Sequence, residues 1–215
     1  MRDGWKTATL GDVLALIRNG TNCEQTKVAG GVKISRIETI ATSSVNPEKV
    51  GYAILTESQK NNFKLCVNDI LFSHINSAPH VGKTAIVEHD HDIYHGINLL
   101  LFRPTHEVDP RYLQYYLTLL HKSGYWRGVC KQSVNQASVN QTDIKKIKIT
   151  YPKSIKEQRR IVAALDEASE GINAVIANVE RNLANLAELK QAILQKAFAG
   201  ELPIQPAETV PEAAE

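Results

Sequence analysis

The sequence predicts an α+β fold: a mixed domain of short strands and helices, followed by one long α-helix. Three observations carry that expectation. Residues 1–152 switch between period-two and helical apolar patterns without any repeated βαβ spacing. Pro152, with Ser154 and Glu157 three positions apart in capping-box order, marks a helix start. After it no proline or other stop signal interrupts the chain until Gly200 and Pro203, so about 44 residues at ~1.5 Å rise make a rod about 66 Å long. The expected organisation is a domain at 1–152, a helix at 153–200 and a flexible acidic tail at 201–215.

Taken in order, "GWKTATLGDVLALIRNG" begins as a strand and passes at Gly11-Asp12 into an apolar helical turn that Asn19-Gly20 ends. In "GVKISRIETI", Val32, Ile34 and Ile37 alternate with polar residues as in a half-buried strand. "FKLCVNDILFSHI" holds a turn at Asn68-Asp69, "GKTAIVEH" reads as a short strand and "INLLLFRP" as a buried one. "PRYLQYYLTLLH" places Leu113, Tyr116, Leu117 and Leu120 on one helical face, with Pro110 suited to the first turn. "IKKIKITYP" sets Ile147 and Ile149 against Lys146 and Lys148, a strand with a basic face.

Along the long helix, Val162, Leu165, Ile172, Ile176, Val179, Leu183, Leu186, Ile193 and Ala197 recur in alternating steps of three and four, with Ser169 and Lys190 in the two remaining seam positions. Such a seam, sustained over about five heptads, requires a second helix against it.

The chain has 215 residues, enough for one ordinary domain plus an appendage. With 43% hydrophobic and 22% charged residues, disorder is excluded. "GINLLLF" is too short to span a bilayer and "MRDGWKTATL" lacks the apolar core of a signal peptide, so a cytoplasmic location without membrane contact is expected. Cys23, Cys66 and Cys130 form no C-x-x-C pair and read as free thiols. Residues 121–160 carry ten Lys and Arg against two acidic residues, whereas residues 200–215 carry four Glu and no base. Composition alone leaves open whether that basic stretch is a polyanion-binding surface or a solvated face.

Catalytic signatures are weak. "SAPHVGKTA" ends like a phosphate-binding loop, but Ser77 stands where the first glycine belongs and a strand follows instead of a helix. His74, His80, His89, His91 and His95 crowd together without H-E-x-x-H or H-x₃-H spacing, and "EHDHDIYH" reads as an exposed polar loop. No G-x-S-x-G is present. No metal site and no enzyme active site is expected.

Three loops combine the side chains that pair with base edges and phosphates. The candidates are Arg18, Asn19, Asn22 and Lys27 in the first, His74, Asn76, Ser77 and Lys83 in the second, and Trp126, Arg127, Lys131, Gln132, Asn135 and Gln136 in the third. Arg36, Lys145 and Lys146 add positive charge.

The run "SVNQASVNQTDIKKIKITYPKSIKEQRRIVAALDEASEGINAVIANVERNLANLAELKQAILQKAFAGEL" resembles the specificity subunit of type I restriction-modification systems. There a target recognition domain ends in an I-x-I-x-x-P strand, followed by an EQ+RIV-x-x-LD helix closing on LLQKAF-x-GEL. "GWKTATLGDVLALIRNGTN", "VNDILFSHINS", "VGKTAIVEH" and "PRYLQYYL" match the recognition domain, so the likeness covers residues 4–202. In that family two recognition domains flank two long helices packed antiparallel. This chain has one of each and looks like a half-subunit, or the first half of a subunit. The resemblance implies sequence-specific binding to double-stranded DNA, with one domain reading half of a bipartite site. It also implies an antiparallel coiled coil that a second copy could complete as a homodimer. It implies no cofactor on this chain, with S-adenosylmethionine, ATP and Mg on the methyltransferase and restriction-motor subunits. The alternative expectation is a coiled-coil adaptor without sequence-specific binding.

Overall fold

Thr9 closes strand β1 (Trp5–Thr9) and opens the next element, since its hydroxyl accepts from the Asp12 backbone N–H while the Asp12 carboxylate accepts from the Thr9 N–H at 2.8 Å. The resulting helix α1 (Leu10–Val13) lasts one turn. The apolar helix expected to run on to Asn19 is therefore corrected: Leu14–Asn19 is a strand, β2, pairing antiparallel with Leu100–Pro104. A short apolar run cannot distinguish helix from buried strand, and the partner strand decides it. The computed structural model describes residues 3–133 and 136–202.

The chain continues through β3 (Val32–Ser35), a 3₁₀ turn at Ile37–Ile40 where a longer strand was expected, β4 (Val50–Ala53) and α2 (Glu57–Phe63). Then come β5 (Ile70–Phe72), β6 (Ile75–Asn76), β7 (Thr84–Ile86), β8 (Ile93–Tyr94) and β9 (Leu100–Pro104). Helices α3 (Pro110–Lys122) and α4 (Tyr125–Val129) lead to β10 (Lys131–Ser133), β11 (Gln136–Ser138), α5 (Gln141–Lys145), β12 (Lys148–Pro152) and the long α6 (Ile155–Phe198). The sheets are ordered β2-β9-β5-β7, β4-β3-β8, β10-β11-β6 and β1-β12. The mixed α/β domain followed by a long helix is the fold class the sequence predicts.

The four-stranded sheet is covered on both faces. Ile70, Phe72, Leu100 and Phe102 join one core with Leu113, Leu117, Trp126 and Ile149, whereas Leu71, Leu99 and Leu101 join a second with Ile40, Ala85 and Val87. This is why "NLLLF" reads as a continuous apolar run and not as an alternation. Asn68, at φ 74, makes the expected turn before β5. "EHDHDIYH" corrects in part, because Ile93, Tyr94 and His95 are buried around β8.

Trp126 is 1% exposed, packing edge-on against Phe72 with ring centroids 4.9 Å apart. Gly82 lies under the indole: a Cβ there would sit 2.0 Å from Trp126 Cδ1, and its φ of +88 is left-handed. The glycine of "VGKT" is thus required by packing, and Thr84 enters a strand.

By compactness the chain forms two units, Met1–Ala164 and Leu165–Glu215. The first includes the opening turns of α6. There Gln158, fully buried, donates from Nε2 to Pro152 O at 2.8 Å and Glu107 O at 3.0 Å, and accepts from Asp109 N–H at 2.7 Å. Asp109 in turn caps α3 by accepting from the Arg111 and Tyr112 N–H groups. Val162, expected on the partner-facing seam, belongs to this unit's core at 8% exposure, because it lies one helical turn past Gln158 on the same face. In the second unit the helix ends as expected at Gly200: Glu201 N–H bonds Lys196 O and Gly200 N–H bonds Ala197 O, a Schellman closure with Gly200 at φ +75. The tail beyond Leu202 lies outside the described residues.

Replacing Gln158 by Leu strands three buried backbone groups on two segments at once. We expect a loss of about 3 kcal/mol of stability, read as a lower urea midpoint with unchanged slope.

Candidate nucleic-acid interface

Segments far apart in sequence meet beside the β10-β11-β6 sheet. Asn76 and Ile75 of β6 pair with Ala137 and Ser138 of β11, and Val139 N–H bonds His74 O at 3.0 Å. Asn19, at the end of β2, joins the same place: Gln141 Nε2 donates to its Oδ1 at 2.8 Å, and its Nδ2 lies 3.2 Å from His74 Nε2. A groove of about 380 Å³ next to this sheet is lined by Ile37, Ile75, Asn76, Ser77, Asn98 and Gln136. Asn98 and Gln136 are exposed in the groove, and Asn19 is exposed beside the sheet.

Of the residues named from sequence, Asn19, Asn76, Ser77 and Gln136 are brought together with an accessible edge. Asn22, Lys27, Arg127, Lys131, Lys145 and Lys146 are exposed on flanking segments. Lys83 donates to Ala41 O at 3.0 Å beside a second groove, and Arg36 pairs with Glu38 at 3.5 Å. Gln132 is placed by its backbone in β10, and Asn135 lies outside the described residues. Two candidates are corrected. Trp126 is a core side chain, because a large ring beside Phe72 is worth more buried than presented to solvent. His74, 6% exposed, sits beneath Asn19 instead of on the surface. Sequence reasoning passed over Gln141 and Asn98. Gln141 ends the amide-rich run "SVNQASVNQ", where no local pattern separates it from its neighbours.

Beneath this surface is a buried polar layer. His95 is fully buried, with Nε2 3.4 Å from Arg18 O, and the Arg18 guanidinium lies 4.7 Å over the Phe63 ring. Among the described residues Arg18 Nε, His74 Nδ1 and His95 Nδ1 are buried without a hydrogen-bond partner. Burial pushes both imidazoles down to about 4, with Arg18 adding repulsion at His95, so both are neutral at pH 7. Elsewhere in the domain, Asp69 takes two bonds from Arg103, at 2.7 and 2.8 Å, which hold the guanidinium pKa up.

Residues 2–183 match the family model of the type I restriction modification DNA specificity domain. The chain belongs to that family. It is 36% identical over 199 residues to the MjaX type I restriction enzyme specificity subunit assigned in Methanocaldococcus jannaschii, covering 91% of this chain and 46% of that one. Against the EcoKI specificity subunit of Escherichia coli the identity is 26%, covering 94% and 44%. The chain therefore spans a little under half the length of these relatives. In solved structures the fold is similar to the HsdS subunit from Thermoanaerobacter tengcongensis, with a TM-score of 0.65 at 24% identity over 94% of this chain and 46% of that one. A chain from a study of assembly and conformational transition of the type I R-M system gives a TM-score of 0.73 at 24% identity, covering 94% and 47%. Among the described residues no helix is long and apolar enough to cross a membrane.

The buried imidazoles set a pH dependence. Their unfolded pKa is near 6.5 and their folded values about 4, so the unfolded chain binds more protons between those limits and stability falls as pH drops through that window. The loss is expected to be on the order of 3 kcal/mol per imidazole by pH 4, measured by thermal melts, with a shallower slope in His74→Gln.

Proposed function

We propose that this chain is a DNA-reading module of a type I specificity subunit, with its recognition domain binding one half of a bipartite duplex site. The observation that supports the reading best is that Asn76, Ser77, Asn98 and Gln136 line one groove while Asn19 and Gln141, 122 positions apart, are bonded to each other beside its sheet, where Asn19 meets His74. Amides of this kind offer paired donors and acceptors for base edges, while the exposed lysines and arginines around them supply phosphate contacts. Family membership supports the same reading.

In this reading the chain selects the sequence and carries no active site. Methylation and restriction fall to partner subunits that bring S-adenosylmethionine, ATP and Mg. The exposed seam from Leu165 through Ile172, Ile176, Val179, Leu183, Leu186 and Ile193 takes a second helix, antiparallel, from another copy or another half. Two copies related by a twofold would read an inverted repeat with a fixed unread gap. Such a complex would work in the cytoplasm, where the DNA is.

The deciding experiment is affinity selection from randomised duplex DNA by the purified chain, with and without a methyltransferase subunit. Enrichment of a defined sequence is expected; retention that depends on salt but not on sequence would leave a coiled-coil adaptor instead. Gln136→Ala and Arg127→Ala should reduce discrimination between sequences. Lys145→Ala with Lys146→Ala should weaken binding to every duplex and lower the salt slope by up to about 2. For the seam, Leu183→Asp should lower the molar mass seen in light scattering.

A further inference from the structure

Asn19 sits in a hydrogen-bonded chain whose logic limits what its amide can still do. An amide has two acceptor lone pairs and two N–H donors. Gln141 Nε2 donates to Asn19 Oδ1, using one lone pair, and Asn19 Nδ2 faces His74 Nε2, using one N–H. His74 must then accept at Nε2 and carry its proton on Nδ1, the atom that has no partner. Reversing the chain exchanges every donor with its acceptor and leaves Asn19 with the same inventory: one free donor and one free acceptor on an exposed side chain.

We infer that Asn19 is a specificity-determining residue that reads an adenine through this remaining pair, with His74 and Gln141 as the positioning residues that hold its amide. Adenine presents one donor and one acceptor in the major groove, N6 and N7, which match what Asn19 has left. Guanine presents two acceptors, N7 and O6, and Asn19 has only one N–H to offer because His74 holds the other. A freely rotating asparagine would lack this restriction.

The burial of His74 supports the assignment. At 6% exposure its ring is held between β6 and the end of β2, so it cannot swing out to a phosphate or base, and its neutral form is the one that accepts.

This inference rests on the DNA-reading proposal, and the test separates the two. The full chain with its methyltransferase subunit is used to select from randomised duplex DNA, and the winning duplex is then compared with copies changed at single base pairs. Asn19→Ala is expected to flatten one A·T position, from about tenfold discrimination or more to under about twofold, and to leave the other positions selective. Gln141→Ala should weaken the same position. His74→Gln should retain it, since Oε1 can accept where Nε2 did, whereas His74→Leu should lose it. A purely structural role would lower affinity at every position together. Asn19 and Gln141 variants decide the matter even where His74→Leu fails to fold. A wild-type chain that selects nothing overturns the proposed function and this inference with it. A wild type that selects, with Asn19→Ala selecting the same sequence at full strength, overturns this inference alone. Loss at a G·C position overturns the adenine assignment.

Discussion

Burial of the Trp126 indole is the constraint on which the arrangement of the candidate-surface segments depends. The ring fills the space beside Phe72 at 4.9 Å and leaves no room at position 82 for anything larger than glycine. Through these two contacts it fixes the loop between β6 and β7 against α4. The β10–β11 hairpin follows α4 within two residues, so its starting point is fixed as well. Pairing of β11 with β6 then returns the chain to the same loop. A surface built of amides and hydroxyls has little apolar area with which to hold itself, so its rigidity has to come from a hydrophobic anchor underneath.

The layer between anchor and surface is polar and under-satisfied. His74, His95 and Arg18 each keep a buried nitrogen without a partner, where interiors normally pair such groups. Each unpaired group works against stability by about 1–3 kcal/mol. Of the three side chains, His74 is the one that reaches outward, with Nε2 3.2 Å from Asn19 Nδ2. The Arg103–Asp69 pair shows the contrast: it is doubly bonded, with the carboxylate buried and the cap of the Cys66 N–H added. It behaves as a structural brace.

Much of the fold was legible in the sequence because its signals are local. Pro110 after Asp109, the turn at Asn68, the apolar run at Leu99–Phe102 and the stop at Gly200 all act through residues adjacent in the chain. What failed were cases decided by distant partners. Leu14–Asn19 carries no mark distinguishing strand from helix until β9 is beside it. Trp126, next to Arg127 in a polar stretch, looks like a base-stacking residue until Phe72 and Gly82 are in place. Val162 fits the heptad as well as Leu165 does, and only the anchoring of Gln158 shows which domain claims it. The candidate surface was partly legible for the same reason: composition revealed polar loops, but the Gln141–Asn19–His74 chain joins residues 122 and 55 positions apart.

The second unit poses a physical problem of its own. Ile172, Val179, Leu183 and Leu186 are each about 60% exposed or more, and they line one side of a continuous helix. Val175 and Leu189, offset by three positions from the seam, are exposed as well, and Leu194 and Phe198 extend the apolar area near the end. A two-stranded zipper buries a narrow stripe, whereas these flanking residues widen the stripe on one side. Lys190 and Ser169 interrupt the seam where a zipper would want its tightest contacts. The pattern therefore leaves apolar area beyond what the facing helix of the seam covers, and a further neighbouring element, in the manner of a helical bundle, would complete its burial. A cover of that kind would make the helix's stability depend on assembly, since a single helix in water draws little support from propensity alone.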